Sequence, residues 1–506
     1  MSNLCKRACG VILAVLSLCA AACAQPKTIT ILHTNDIHAS FLPHEAFWVR
    51  TTPKPMTGGM QELSWMIDSV RKSTRVGLLL DGGDVMTGNP ISDYEYNGAF
   101  GGALFQMMNL IGYDAWTIGN HDLDISQDNL KKLTSLAKFS TVTANLTDSL
   151  HQFIFGNKQY FIVEREGIRI GIIGHITSDL FHVTNTNNLK GVRVQKPWEI
   201  TQKLIDEIDP KTDLIIAVTH EGLDDDSTLA QSVHGLDVII GGHDHRRLTS
   251  PKIIHSVIIC EAGAYCENLG ELILTVENDS VTHFEGKLLP LWVHHTYPSG
   301  ELASLVEEFN KKIDSEYGGV LGTLVGDWKR SSSGESAIGD FVADAIREGV
   351  AADVGVTNSS GIRKDLSAGP VKKLDLFEIA PFRNVLCTFS FTGKELSDFA
   401  VRYAKELAGG RSSIQISGMT GVWFTQDDGS IKVNSLKVAG KDISESATYT
   451  IATSDFVVNQ GDKYLGVVPQ NVSYTETTMF QVLVAKAVRD KTMTAATETR
   501  FRQAHD

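Results

Sequence analysis

Residues 27–38 read KTITILHTNDIH, a β-branched, apolar run to Leu32 that breaks into Thr34-Asn35-Asp36-Ile37-His38. A short run of this composition predicts a strand, and the carboxylate and imidazole just beyond it fall in the loop that leaves the strand end. The same device recurs four more times. Val76 to Leu80 leads through Asp81-Gly82-Gly83 to Asp84, and Ala115 to Ile118 leads through Gly119 to Asn120. Leu214 to Val218 ends on His220, and Val238 to Ile240 leads through Gly241-Gly242 to His243 and His245. In an α/β sheet the strand ends and their loops form one rim, so these far-apart side chains are expected to converge there.

Between these runs lie stretches of helical period around Met60 to Lys72, Gly102 to Ile111, Gln127 to Ala137 and Pro197 to Ile208. Further strands are predicted at Thr141 to Ala144 and Ile168 to Ile173. After His243 the pattern turns to strands without helices: Lys252 to Cys260, Leu269 to Val276 and Val281 to Leu289. The alternation over residues 27–298 predicts an α/β domain with helices covering sheets. Residues 299–317 read as a polar connector helix with Leu302, Leu305, Val306 and Phe309 on one stripe. Residues 318–506 form a second, unlike block, with a helix at Ser336 to Glu348 and strands at Val433 to Val438 and Tyr449 to Ala452.

Composition bounds the partners. At 506 residues and 42% hydrophobic there is material for two or three domains with large cores. Lys plus Arg number 46 against 60 Asp plus Glu, a formal charge of −14, so the overall field repels a nucleic-acid polymer. Residues 1–24 read as an export leader: Lys6 and Arg7 precede Val11 to Ala22, a run too short to span a bilayer. Ala22-Cys23-Ala24 fits a small-x-small cleavage site, while Ala20-Ala21-Ala22-Cys23 fits a lipoprotein box with an atypical first residue. The expected location is therefore the periplasm or cell surface, either free or lipid-anchored to the membrane through Cys23. Beyond the leader only Cys260, Cys266 and Cys387 remain, too few for a disulfide scaffold. Cys260 and Cys266 either pair or stay as buried thiols.

The ligand types define the chemistry. Imidazoles, carboxylates and one amide oxygen suit divalent ions such as Zn, Mn or Co. Seven groups exceed the three or four that one catalytic zinc uses, whereas two ions about 3.5–4 Å apart sharing one carboxylate use them all. Asp84 is the natural bridge. Two such ions leave net positive charge after Asp36, Asp84 and a shared hydroxide are counted, which attracts a phosphoryl group and supplies the nucleophile. His121 stands beside Asn120 with Asp124 three residues on, the spacing for a carboxylate that orients an imidazole to protonate a leaving oxygen.

Together, Thr34 to His38, Gly83-Asp84, Gly119 to Asp124, Thr219-His220-Glu221-Gly222 and Gly242 to His245 closely resemble the calcineurin-like metallophosphoesterases, specifically the exported 5′-nucleotidase branch. The resemblance implies a four-layer αββα sandwich followed by a smaller α+β substrate-binding domain. It also implies one ion on Asp36, His38, Asp84 and His245, the other on Asp84, Asn120, His220 and His243, and the His121–Asp124 dyad. In the second block, Asn358-Ser359-Ser360-Gly361-Ile362-Arg363 and Phe456 to Asp462 are similar to the family's nucleotide-binding domain. By that likeness Asn358 and Arg363 meet the phosphate end, Phe456 stacks on the base and Asp462 holds the nucleoside. Two departures stand out: Ser412-Ser413-Ile414 occupies the place where a second base-stacking aromatic is expected, and a further phosphate-binding arginine has only Arg330 as a candidate.

The reading that follows is an exported two-metal phosphohydrolase that removes the 5′-phosphate of a nucleoside monophosphate. UDP-sugar hydrolysis, 2′,3′-cyclic phosphodiesterase with 3′-nucleotidase activity, and esterase action on non-nucleotide phosphates are the alternatives that a one-sided base seat leaves open. A non-catalytic surface binder is the rival class, and it has no use for the dyad. Metal identity, base preference and oligomeric state stay open at this level.

Overall fold

The computed structural model describes residues 26–293 and 296–504. The leader at residues 1–24, with Cys23, lies outside the described residues. Two six-stranded sheets form the first domain. One has the order Val281–Pro290, Asn268–Val276, Lys27–Thr34, Val76–Asp81, Ala115–Trp116 and Ser140–Thr141; the other runs Tyr160–Arg165, Ile168–Ile176, Leu214–His220, Val238–Ile240, Val257–Cys260 and Lys252–Ile254. Lys27–Thr34, Val76–Asp81, Ala115–Trp116 and Ser140–Thr141 run parallel in the first sheet, and Ile168–Ile176, Leu214–His220, Val238–Ile240 and Val257–Cys260 run parallel in the second. Their carboxyl ends therefore share a rim, as the sequence pattern requires.

Alternation explains the layering. Ile29, Ile31, Leu78 and Leu80 of the first sheet meet Ile170, Ile172, Ile216, Val218 and Ile240 of the second in one buried cluster between the sheets. Leu32, Leu79 and Trp116 face the other way, against Leu63, Ile67, Leu104, Phe105 and Leu130 of three helices. On the far side Ile173, Ile215, Ala217 and Ile239 pack against Leu204, Ile205, Leu229 and Ala230 of two more. Strands buried on both faces read as continuous apolar runs, and the result is the expected αββα sandwich.

Three sequence expectations are refined. The helix Glu301–Tyr317 is more than a connector, because Leu305, Val306, Phe309 and Ile313 are buried in the first domain's outer core. The single run expected at Lys252 to Cys260 is a hairpin turning at His255 and Ser256, both with positive φ (47° and 74°). Two consecutive positive-φ residues suit the tight hairpin turn, and no Gly or Asn marks it in the sequence. Cys260 and Cys266 are both free and buried, so the thiol alternative holds and the bridge does not form.

The second domain is α+β. A five-stranded sheet, ordered Ile414–Ser417, Val354–Asn358, Thr448–Ser454, Val385–Thr392 and Ser473–Thr478, carries the helices Ala337–Gly349, Gly393–Ala408 and Met479–Asp490. Ser336 caps the first of these, and Thr392 with Glu395 forms a capping box on the second.

Candidate active site

Every one of the seven groups singled out in the first domain reaches the shared rim. Loop leans on loop there: the Asp36 amide donates to the Gly83 carbonyl and the His38 amide to the Asp84 carbonyl, both at 2.9 Å. Asp36, His38, Asp84, His243 and His245 all have φ between 48° and 94°. Non-glycine residues seldom adopt that region, and such strain concentrates at functional sites. Gly119 is required by packing, since a Cβ there would sit 2.2 Å from Asp84 Oδ1.

The ring nitrogens are set by their outer partners. His38 Nδ1 donates to the Thr87 carbonyl at 3.0 Å, and His220 Nδ1 donates to the Gly82 carbonyl at 2.7 Å. Each turns Nε2 inward, the arrangement that metal-ligating histidines show. His38 Nε2 lies 3.0 Å from His245 Nε2 and 3.7 Å from Asp36 Oδ1, and His245 Nε2 is 3.4 Å from the same oxygen. His220 Nε2 lies 3.1 Å from Asp84 Oδ2 and 3.2 Å from Asn120 Oδ1, which is 3.0 Å from His243 Nδ1. Asp84 Oδ2 is also 3.8 Å from His38 Nε2, so this carboxylate stands between the two groups.

This donor set fits divalent cations. Asp36 Oδ1 is buried and accepts no hydrogen bond. Ligand atoms of Asp36, His38 and His245 all lie within 4.8 Å of one another, as do those of Asp36, Asp84 and His220. Burial, with Arg363 adding to it, lowers His38 and His245 well below the ordinary imidazole range, which favours neutral rings. Burial alone would raise the Asp84 carboxyl, but the His220 and His121 imidazoles outweigh it and hold it well below the carboxylate range.

His121 Nδ1 bonds Asp124 Oδ2 at 2.7 Å. Burial lowers this imidazole, but Asp124 and Asp84 outweigh it and raise it above the ordinary value. Asp122, to which the sequence pattern assigns no role, accepts amide hydrogens from Asp84, Val85, Met86 and Gly119 at 2.8–3.1 Å. It fixes both loops from beneath. An acidic residue between two already assigned ones carries no separate signal in a single sequence.

A cavity of about 300 Å³ opens over this cluster, walled by both domains. Asp84, Asn120, His121, Asp124, His243 and His245 line it from the first domain, and Asn358, Arg363 and Phe456 from the second. Arg363 Nη2 reaches 3.2 Å from His38 Nε2 and 3.4 Å from His245 Nε2. Asp462 is not on the wall: its side chain is exposed on the short helix Gly461–Tyr464, its backbone carbonyl accepts from Arg402, and Lys463 and Tyr464 line the cavity instead. Arg330 is likewise off the wall, bonded to Asp365 and to the Arg363 carbonyl, where it props the arginine's backbone.

The cavity carries a further aromatic side chain that the sequence reading did not find. Ser412 is buried and bonded to the Ile414 carbonyl, away from the cavity. Phe382 lines the same cavity as Phe456 and stacks on His121 with centroids 5.4 Å apart. Tyr464 packs beside Phe456 at 6.0 Å. The signal for Phe382 is the Pro381-Phe382 pair after an apolar helix, which in sequence reads as a helix stop.

Residues 29–247 match the family profile described as calcineurin-like phosphoesterase, and residues 320–468 match that of the 5′-nucleotidase C-terminal domain. The chain is 26% identical over 499 residues to Protein UshA of Escherichia coli (strain K12), with 87% of each chain covered. It is 27% identical over 515 residues to the 5′-nucleotidase of Vibrio cholerae serotype O1, with 90% of each covered. Among solved structures, the 5′-nucleotidase precursor of Thermus thermophilus is similar in fold, with a TM-score of 0.81, 23% identity and coverage of 95% of this chain and 100% of that one. A phosphoesterase profile on the rim of clustered imidazoles and carboxylates and a nucleotidase profile on the domain that faces it agree with the geometry: the chain belongs to the 5′-nucleotidase family, a calcineurin-like phosphoesterase domain followed by a 5′-nucleotidase C-terminal domain.

Proposed function

We propose that this enzyme hydrolyses nucleoside 5′-monophosphates to nucleoside and phosphate. The observation that carries the reading is one cavity lined by groups suited to both ends of such a substrate: clustered ligand atoms with Arg363, and Phe456 with Phe382 on the wall. Asp36, His38, Asp84 and His245 would hold one divalent ion, and Asp84, Asn120, His220 and His243 the other. When bound there, such ions would supply Lewis-acid charge and lower the pKa of a water for attack at phosphorus.

The chain's own groups do the rest. Arg363 offers fixed donors to phosphoryl oxygens, and Asn358 lines the cavity near it. Asp124 holds His121 with Nδ1 occupied, which leaves Nε2 to protonate or stabilise the departing O5′ oxygen. Phe456 and Phe382 seat the base, with Tyr464 backing Phe456. The leader at residues 1–24 supports export to the periplasm or cell surface, with Cys23 a site for a lipid anchor.

The test is a phosphate-release panel of AMP, other nucleoside monophosphates, UDP-glucose, 2′,3′-cyclic nucleotides and 4-nitrophenyl phosphate, before and after chelation and with Mn, Zn or Co restored. AMP should be turned over best, chelation should abolish release and added metal should restore it. His121→Ala should slow the nucleotides by about 10²–10⁴. Phe456→Ala should penalise nucleotides by about 1–3 kcal/mol and spare the aryl phosphate. Nucleotide binding without phosphate release would instead leave a binding protein.

A further inference from the structure

Thr87 connects the two halves of the chemistry. Its carbonyl accepts the His38 Nδ1 hydrogen at 3.0 Å, and its hydroxyl donates to Asp124 Oδ2 at 2.8 Å. That oxygen is the one that bonds His121 Nδ1 at 2.7 Å. Among the described residues no other group is seen to donate to the Asp124 carboxylate, whereas Thr87 is itself tied down by its amide, which donates to Ser92 Oγ at 3.1 Å. The residue is 8% exposed and stands on the cavity wall. Its φ is 64°, a region that a β-branched side chain adopts only when its surroundings enforce it.

From these contacts we infer that Thr87 is a positioning residue for the leaving-group step. A carboxylate held by one partner alone can swing about its side-chain bonds. With Oδ2 shared between a fixed hydroxyl and the imidazole, the plane of Asp124 and the orientation of His121 are set together, and Nε2 stays aimed into the cavity. The carbonyl of the same residue fixes the His38 ring, so the clustered ligand atoms and the proton donor are registered through one residue. The inference rests on the reading of His121 and Asp124 as the leaving-group dyad.

The experiment compares Thr87→Val, Thr87→Gly and Thr87→Ser in the metal-loaded enzyme, on AMP and on 4-nitrophenyl phosphate, with bound metal measured for each. All three keep the backbone carbonyl for His38. Val preserves shape without the hydroxyl, Gly removes the hydroxyl and fits φ 64° without strain, and Ser retains the hydroxyl. Val and Gly should lose about tenfold or more in kcat on AMP, with KM within about twofold, because a misaligned proton donor affects only the reacting state. The loss should be smaller on 4-nitrophenyl phosphate, whose leaving oxygen needs little protonation, and Ser should recover most of the rate. Undiminished kcat on AMP in either the Val or the Gly variant overturns the inference, as does equal loss on both substrates accompanied by lost metal. His121→Ala separates the two levels: if it keeps full turnover the dyad reading itself fails, and if it slows AMP while Thr87→Val does not, only the role of Thr87 falls.

Discussion

At the scale of single residues, the site depends on where side chains are missing as much as on where they are present. Gly119 lets Asp84 lie flat against the turn that carries Asn120; an added methyl would meet Asp84 Oδ1 at 2.2 Å and the Asp84 amide at 2.3 Å. Neither atom can give way. The amide is part of a loop pinned by Asp122, and Oδ1 accepts the His121 amide at 2.7 Å. Gly119→Ala should therefore displace the carboxylate that stands between the two ligand groups, although the substituted residue contacts no substrate. We expect loss of bound metal and at least a ~10²-fold fall in phosphate release, by the sensitivity of such sites to small displacements, while the protein stays folded. Metal analysis and a thermal melt on the same sample check this. A variant with full metal content and undiminished turnover would show that the loop can shift freely.

Among elements, the helix Glu301–Tyr317 illustrates what patterning conveys and what it leaves out. Its apolar stripe was legible in the sequence, and its partner was not, because periodicity reports that a face is buried without saying against what. Phe309 lies 5.9 Å from the Tyr96 ring and 6.3 Å from Tyr94, and is 2% exposed. Phe309→Ala should then cost about 3–5 kcal/mol as a core truncation, read as a lowered midpoint in urea. A change below about 1 kcal/mol would fit a detached linker instead. The same contrast runs through the rest of the fold. Long runs such as Ile168–Ile176 and Leu214–His220 were readable because they are buried on both faces. Ala115–Trp116 and Ser140–Thr141 are shorter than their apolar runs suggested: the first gives way to the turn toward Asn120, and after the second the Thr143 and Ala144 amides bond the Lys158 and Gly174 carbonyls instead of continuing the ladder. The convergence of these imidazoles, carboxylates and Asn120 on one rim was legible because each member follows a strand. Phe382 and Thr87 were not, since their positions become meaningful only after the second domain is docked or the loop is bent into positive φ.

For the whole molecule, the question is what brings the second domain onto the rim of the first. Polar contacts cross the cleft at several points. Asn89 Nδ2 donates to Glu378 Oε1 at 2.7 Å, Arg383 donates to Asp93 at 2.8 and 3.0 Å, and Gln460 donates to the Phe181 carbonyl at 2.8 Å. Glu378 is the pivotal one. Its second oxygen accepts from Lys364 at 2.6 Å, and Lys364 is the neighbour in sequence of Arg363, whose guanidinium reaches His38 and His245. A single carboxylate thus joins the loop after Asp84 to the backbone that carries Arg363. A charge-assisted bond of this kind contributes about 1.5–3 kcal/mol, and here it acts on the segment that presents Arg363 to the rim. Lys364 keeps Asp375 at 2.9 Å when Glu378 is removed, so the second domain itself should remain intact. Glu378→Ala is therefore expected to favour a more open arrangement: a larger radius of gyration in small-angle scattering and a KM for AMP raised by about tenfold, with kcat close to unaltered because the groups at phosphorus are untouched. An unchanged radius together with an unchanged KM would mean that the two domains are held by their other contacts, and that Arg363 reaches the rim without help from the glutamate.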